Sequence, residues 1–544
     1  MEIYIHDNKL FMIVETPSSS SIARLYLTRK LTTYFCNCLS CRDWACPVRG
    51  VVFAKVFLRK NEPCEQHFEK FLLTGDVYVQ YLLYLCTRIT KMSKKMRKFL
   101  IGALTLFVAN SAFAGGLLTN TNQSAAYLRN PAREGVIAID GLYSNPAGTA
   151  FLSQGFHLSV NWQMAAQQRI MTATSPAFVA GVANNGATTK EFKGKAFAPV
   201  MPSFHAAYVI NDKWSVSASF GVTGGGGKCE FDNGLGMFEA MVGGAAAGQG
   251  MPYSLEQSLT GEQYLFGLQI GGTYKITDNV AVFGGVRGVY SSNAYEGAIK
   301  NIKINNMGSA EFSAAAGQYE AAGMVEQAMA MKTYAALTSD YALDCSQSTI
   351  GFTPIIGVDW NLGKLNLGAK YEFRTKVEYE NDSKNSANVD AAFANFADGA
   401  KVRNDIPAIL SLGAQYHLLP SLRLSAGYVH YFDTDAEGSA TEVSDNTWEA
   451  SFGAEYDINS KWLVSAGVRH TNYGFADEEM SDLNFNLDNF ALCVGGAYKV
   501  NEKVTVNAGY MHSFYGDHDV KGTGLSTLYE RKNDTWGVGV DIKF

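Results

Sequence analysis

The residues able to do chemistry are scattered, and their spacing rules out more than it supports. After residue 115 the histidines are His157, His205, His417, His430, His470, His512 and His518. Acid–base or nucleophilic catalysis needs such a group held against a second one. Asp517-His518-Asp519 offers an acid/base pair, but no serine nucleophile signature accompanies it. His430, His470 and His512 each follow an Ala-Gly pair at the same distance, which signals repeated hairpins more than catalysis. A hydrolase therefore ranks below the other readings. Cys36, Cys38, Cys41 and Cys46 lack the paired spacing and histidine partners of a zinc site. The run Gly224 to Gly227 before Lys228 lacks the spacing and the following Ser or Thr of a phosphate loop. A net charge of -6 gives no electrostatic case for nucleic acid. Neither metal nor cofactor is expected.

What remains is charge in alternation. Leu365, Leu367, Ala369, Tyr371 and Phe373 interleave with Asn366, Gly368, Lys370, Glu372 and Arg374, continuing to Lys376, Glu378 and Glu380. A period of two is a strand with one apolar and one charged face. Arg287, Arg423, Glu449, Glu455 and Arg469 occupy comparable places in other segments. Mixed-sign charge on one face most simply forms ion pairs.

The elements carrying these charges repeat. Residues 495–510 read as a hairpin: Tyr498, Val500, Val504, Val506, Ala508 and Tyr510 share one face, with Asn501-Glu502-Lys503 as the turn. Stepping 10 and 11 residues from the tyrosine ending a first strand leads from Tyr498 to Ala508-Gly509, and the same step recurs from Tyr456, Tyr416, Tyr274 and Tyr208. A sixth hairpin turns more tightly at Gly363-Lys364. With a first strand at 156–164, hairpins at 203–223, 264–291, 350–380, 405–432, 446–473 and 487–515, and a last strand at 535–544, the count is fourteen strands. Short turns alternate with long links at 169–202, 224–263, 292–349, 381–404, 433–445, 474–486 and 516–534. That asymmetry, with a tyrosine beside each short turn, is the pattern of an all-β, antiparallel outer-membrane barrel. The final Trp536 to Phe544 keeps its apolar residues on one face, and a terminal Phe on such a strand resembles the insertion signal of bacterial barrels. A soluble β-sandwich or propeller is the alternative, but no second set of sheet-packing elements is evident. The texture agrees, with 12% aromatic residues and 53 Gly against only 12 Pro.

Residues 1–91 read differently and hold six of the nine cysteines. Behind them, Met92 to Lys98 is basic, Phe99 to Val108 is apolar and Ser111-Ala112-Phe113-Ala114 ends in a small-x-small site. This is a signal peptide over 92–114. Because such signals act at a nascent N-terminus, the expectation is that 1–91 is an upstream extension from a start placed too early. An uncleaved anchor is the alternative, though the apolar run is short for a span. Cys229, Cys345 and Cys493 then remain, implying no disulfide framework.

Between the signal and the first strand, residues 115–154 are not strand-like and carry Asn130-Pro131-Ala132-Arg133, Asp140-Gly141 and Asn145-Pro146-Ala147-Gly148. Such a segment can fold into a barrel as a plug. A Gly-led start, an Asn-Gln-Ser-Ala-Ala stretch, the acidic-Gly pair and Asn145-Pro146-Ala147 together resemble the hatch of the FadL/TodX family of outer-membrane transporters for long-chain fatty acids and other hydrophobic compounds. The resemblance extends in architecture over hatch (115–154) and barrel (155–544).

That resemblance implies passive diffusion of a hydrophobic, fatty acid-like molecule, capture among extracellular loops, a pocket above the hatch, and lateral exit at a kink in the third strand. Capture would fall to Phe312, Tyr319, Met324 and Met329 in the longest loop and to Phe393 and Phe396 in its neighbour. Gly221, Gly224 and Gly225 would mark the opening. A carboxylate would meet basic residues, for which Arg129, Arg133, Lys370, Arg374 and Arg423 are candidates; without one, an uncharged hydrocarbon fits better. Expected partners are outer-membrane lipid and lipopolysaccharide and the barrel assembly machinery, around a monomer. A water-filled porin or structural barrel is the alternative, and the position of 115–154 discriminates.

Overall fold

In the computed structural model, residues 2–6, 9–14, 23–27 and 123–544 are described, apart from 248–249 and 439–443. The chain divides into two units, Met1–Lys94 and Lys95–Phe544. In the first, strands Glu2–His6, Lys9–Val14 and Ala23–Leu27 form a small antiparallel sheet. The cysteines at 36–46, the signal peptide and hatch residues 115–122 lie outside the described residues.

The second unit is a closed antiparallel barrel of fourteen strands. In order these are β1 (Gly155–Thr174), β2 (Thr189–Val209), β3 (Trp214–Phe231), β4 (Tyr253–Lys275), β5 (Val280–Ile304) and β6 (Tyr341–Asn361). Then come β7 (Leu365–Glu372, resuming at Glu378–Ser383), β8 (Lys401–Arg403, resuming at Ala408–Leu419), β9 (Leu422–Phe432) and β10 (Trp448–Asp457). The last are β11 (Trp462–Asn472), β12 (Asn489–Lys499), β13 (Val504–Tyr515) and β14 (Ser526–Lys543). Ring closure joins β14 to β1 from Ser526↔Thr174 to Lys543↔His157. Phe544 secures the seam: its amide donates to Phe156 O at 2.9 Å and its ring lies 5.5 Å from that of Phe156.

The wall is inverted relative to a soluble protein. Along β1, His157, Ser159, Asn161 and Gln163 are buried inside, whereas Phe156, Val160 and Trp162 face outward. Apolar side chains turned outward are stable only against hydrocarbon, so alternation and environment agree. Three of the short turns share one chemistry, and a fourth uses the Thr277 hydroxyl in the same way. Asn211 Oδ1 accepts from the amides of Lys213 and Trp214, Asn459 Oδ1 from Lys461 and Trp462, and Asn501 Oδ1 from Lys503 and Val504. These turns explain the constant spacing in the hairpins of Tyr208, Tyr274, Tyr456 and Tyr498. Beside them, Trp214 packs on Tyr274 and Trp462 on Tyr498, each at 4.6 Å, as an interfacial girdle.

Three expectations need correction. The strands facing the long links are longer than the alternation suggested: β3 continues past Gly221 to Phe231, and β5 reaches Ile304 with 25 residues against 10 in β10. A membrane needs only about 9–11 residues per strand, so β1 to β6 rise above it. Second, the linker 292–349 is mostly strand and two helices, α1 (Ser309–Ala321) and α2 (Val325–Leu337). Third, the charged face of β7 does not stay inside. Lys370 and Glu372 are buried, but after the break at 373–377 the buried residues are Val377 and Tyr379, and Lys376, Glu378 and Glu380 turn outward. The break changes the register by one, which swaps faces.

Candidate functional site

Residues 123–154 fill the barrel. A five-residue helix, Ala125–Arg129, is entirely buried, and Ala125 N donates to Asn161 Oδ1 of β1 at 3.1 Å. The wall is stripped of side chains where this plug docks. Gly413 faces Gly427 across β8–β9, Gly453 faces Gly467 across β10–β11, and Gly495 faces Gly509 across β12–β13. A Cβ on Gly413 would stand 2.5 Å from Glu134 Cβ, one on Gly509 would stand 2.6 Å from Ala125 O, and one on Gly453 would collide with Asn130 Oδ1. The belt of glycines is a seat for backbone at contact distance.

Charge locks the seat. Arg129 Nη1 pairs with Glu455 Oε1 at 2.7 Å; Arg133 pairs with Asp140 at 2.6 Å and with Glu455 at 3.1 Å. Arg423 joins from β9, 2.6 Å from Asp457 and 3.4 Å from Glu455. Asn145 accepts from Ala147 N to cap the 3-10 turn Pro146–Phe151, and its Nδ2 donates to Asp359 Oδ2 at 3.0 Å and Val358 O at 3.1 Å. On β7 Lys370 Nζ lies 2.5 Å from Glu372 and donates to Tyr143 O at 2.8 Å, while Arg287 of β5 forks onto Glu372 at 2.6 and 3.0 Å. Arg374 lies 3.7 Å from Asp405 and 3.5 Å from Glu437. All five basic residues singled out from the sequence therefore already have carboxylate partners.

Two arginines do not. Arg169 and Arg531 are cross-strand partners on β1 and β14 with side chains in the lumen. Among the described residues of 123–544 they are the two arginines without an ion pair. The Arg169 Nε, and the Nε and Nη1 of Arg531, are buried with no hydrogen-bond partner. Each guanidinium lies over an aromatic face instead, Arg169 over Phe485 at 5.4 Å and Arg531 over Tyr515 at 5.1 Å. Arg169 stands where two hollows meet. One, about 1200 Å³ with its open mouth, is lined mainly by apolar groups including Phe238, Met241, Leu259, Ile299, Phe393 and Phe396. The other, about 1130 Å³, is bounded by Gln123 and Leu128 of the plug, by Arg531 and by 224–228 of β3. Both include Arg169, Gly226, Gly227 and Gln263.

The roof of the first hollow is built from loops. Phe178, Phe192, Leu235, Phe485 and Tyr529 form a buried cluster there. Asp482 ties the loop after β11 to the helix Gly236–Ala247, accepting from Met237 N at 2.7 Å and from the Tyr529 hydroxyl at 3.1 Å. Burial pushes the Asp482 carboxyl up, against these hydrogen bonds. Of the residues expected to capture ligand, Phe393 and Phe396 reach the hollow, edge-on to Phe238 and Tyr295 at 6.2 and 5.4 Å. Phe312 is buried against Tyr334 at 5.2 Å, where it holds α1 on α2. Tyr319, Met324 and Met329 lie on the two helices or the link between them, away from the hollow, with Met324 and Met329 exposed.

The wall beside the second hollow is unzipped. β2 and β3 pair from Gly194↔Phe231 to Ala196↔Cys229 and again from Phe204↔Phe220 to Val209↔Ser215, with no pairs between. On β2 this stretch holds Pro199 and Pro202, which have no amide to donate. On β3 Gly225 and Gly227 have φ of 103° and 69°, and a Cβ on Gly225 would collide with Gln263 O. The sequence reading found the glycines but missed the two prolines, whose place opposite them was the available signal. It missed Arg169 and Arg531 because both fell in segments taken as links; Gln163, Ala165, Gln167 and Arg169 continue the inward parity of β1 and could have revealed one.

A family model described as outer membrane protein transport protein (OMPP1/FadL/TodX) matches residues 105–541. No curated protein matches the chain. Among solved structures, a Pseudomonas aeruginosa FadL homologue superposes with a TM-score of 0.57 at 14% identity, covering 79% of this chain and 100% of that one. The P. putida toluene transporter TodX gives 0.50 at 15% identity, covering 75% and 94%. At such identities the likeness is one of fold, and the family model extends it to sequence: the chain belongs to the OMPP1/FadL/TodX family of Gram-negative outer-membrane proteins that transport hydrophobic compounds.

Proposed function

We propose that this protein takes up amphiphiles with one acidic head and a long apolar tail, such as long-chain fatty acids, by passive diffusion. The tail occupies the apolar hollow between Phe238, Phe393 and Phe396, and the head meets Arg169 and Arg531. The observation that carries this reading is the unpaired state of those two arginines. Like charges placed directly opposite destabilise a sheet, and buried donors without partners cost free energy, so the pair is compensated when an anion lies between. From there the molecule moves to the second hollow and leaves sideways where β2 and β3 are unzipped at Gly224 to Gly227. That route keeps an apolar tail out of water. The plug closes the axial path, which argues against a water-filled porin. The uncharged aromatic cargo of toluene transporters is a second reading, and it would leave the arginine pair without a role.

In the membrane the protein acts as a monomer among outer-membrane lipid and lipopolysaccharide, and the barrel assembly machinery receives the β14 strand ending at Phe544. The test is equilibrium binding of palmitate and of its methyl ester to protein in detergent. Charge-assisted hydrogen bonds contribute about 1.5–3 kcal/mol each, so the R169Q/R531Q variant should lose roughly 10-fold or more in affinity for the acid. The ester should bind wild type and variant alike. Equal affinity of wild type for acid and ester would sink the reading.

A further inference from the structure

We infer a second anion station on the outer face of the wall, at the threshold of the side opening, formed by Lys195 and Lys532 beside the Lys228–Glu230 ion pair. It rests on the reading that an acidic amphiphile leaves between β2 and β3. The register sets Lys532 of β14, Gln168 of β1, Lys195 of β2 and Glu230 of β3 in one row across four strands. Lys195 and Lys532 are exposed. They have the opposite parity to Arg169 and Arg531, so they point to the lipid side. On β14 the outward series runs Trp536, Asp534, Lys532. Trp536 packs on Tyr510 at 5.7 Å and Tyr428 on Trp448 at 6.3 Å, an aromatic row toward the strand ends away from the short turns, and each further step of two residues is about 7 Å. The lysines therefore stand just beyond this row, at the level of lipid head groups.

Their carboxylate neighbours are already engaged. Asp534 accepts from the Tyr510 hydroxyl at 2.6 Å and pairs with His512 at 2.7 Å. Glu230 is 2.7 Å from Lys228. Lys195 and Lys532 have no ion-pair partner among the described residues. Lys195, Lys228 and Lys532, with the engaged carboxylates Glu230 and Asp534, edge an outward hollow of about 870 Å³ that is open to its surroundings. This hollow shares Gln167, Ala196, Phe197 and Lys228 with the inner chamber, so the two meet at the unzipped wall.

That continuity selects the occupant. A resident lipid phosphate would need only the outer lysines, whereas Lys228 borders both chambers and Phe197 offers an apolar edge between them. The arrangement suits a carboxylate passed from Arg169 and Arg531 to the lysines while its tail slips past Phe197 into the bilayer. The inner site holds the acid, and the outer site lowers the barrier to its release.

The test uses full-length protein in phosphatidylcholine nanodiscs preloaded with palmitate or its methyl ester, with release into the disc bilayer followed by stopped-flow quenching. A surface lysine changes attraction for an anionic head by about fivefold. K195Q/K532Q should therefore slow palmitate release at least about fivefold, leaving equilibrium binding and ester release at wild-type values. Release of palmitate at the wild-type rate, or equal slowing of acid and ester, overturns the inference. So does lysine-dependent binding of phosphatidic acid together with unchanged palmitate release, which would assign the lysines to a resident lipid. R169Q/R531Q run in parallel separates the two levels. Normal palmitate affinity in that variant discards the inner site, whereas intact binding with unaltered release in the lysine variant discards only the outer one.

Discussion

Arg169 and Arg531 oppose each other across the seam that closes the barrel, and neither has a carboxylate beside it. Every other arginine among the described residues of 123–544 has one. The contrast separates two kinds of buried charge in one lumen: paired charge that anchors the plug, and an unpaired pair that the proposed function assigns to a ligand.

It follows that removing one of the two arginines should stabilise the empty protein. Relief of a like-charge pair is worth up to about 1 kcal/mol, so R531Q should unfold at or above the wild-type temperature without ligand. With palmitate present the order should reverse, because only the wild type gains binding free energy. Thermal scans with and without palmitate measure both.

Asn145 is the joint of the plug, since one side chain caps the turn that follows and reaches Asp359. N145A should cost about 1 kcal/mol for the cap and a further 1–3 kcal/mol for the bond left unmade at Asp359. The expected result is faster proteolysis of residues 123–154 with an intact barrel. Unchanged proteolysis would show that Arg129 and Arg133 hold the plug alone.

The glycine belt predicts a different outcome for a larger change. G453V places a β-branched residue on a strand that favours it but against Asn130. The barrel should still insert and keep its resistance to unfolding in detergent, while the plug is displaced and small sugars pass in liposome swelling. Swelling at the wild-type level would mean the plug adapts.

At the side opening, P199I/P202I restores two amide donors opposite 221–228. With pairing possible again, the wall should close: palmitate binding persists and its transfer to the bilayer falls. Transfer equal to wild type would place the exit elsewhere.

Asp482 makes the loop roof sensitive to pH. Its carboxyl has a folded-state pKa raised by burial, so its stabilising contribution is complete below the ordinary aspartate value of about 3.9 and is lost as pH rises through the raised folded value. Amide exchange in the helix Gly236–Ala247, corrected for intrinsic rates, should accelerate across that interval. In D482N the pH dependence should vanish.

Much of the barrel was legible in the chain. The step from Tyr498 to Ala508-Gly509, repeated from four other tyrosines, follows from turns of one length, three of them closed by an asparagine and one by Thr277, and outward Trp and Tyr mark where strands meet the interface. Membrane strands are readable because hydrocarbon demands an apolar residue at every second position. Beyond the bilayer that demand ends, so the upper parts of β1, β3, β5 and β14 looked like links, and Arg169 and Arg531 were hidden in the first and last of these. The plug was recognisable from Asn145-Pro146-Ala147, but its seat was not, because each glycine of the belt looks like ordinary strand texture until its neighbour across the lumen is known.

By itself, then, the sequence determined fourteen strands, their inverted faces, a plug and a family. Which charges are satisfied was decided only by tertiary structure. Arg129 and Glu455 are separated by 326 residues, and only closure brings them within 2.7 Å. Local pattern records which face a side chain takes, since that depends on the parity of one strand. It does not record which partner waits across the lumen, because that depends on the shear and circumference of the closed ring.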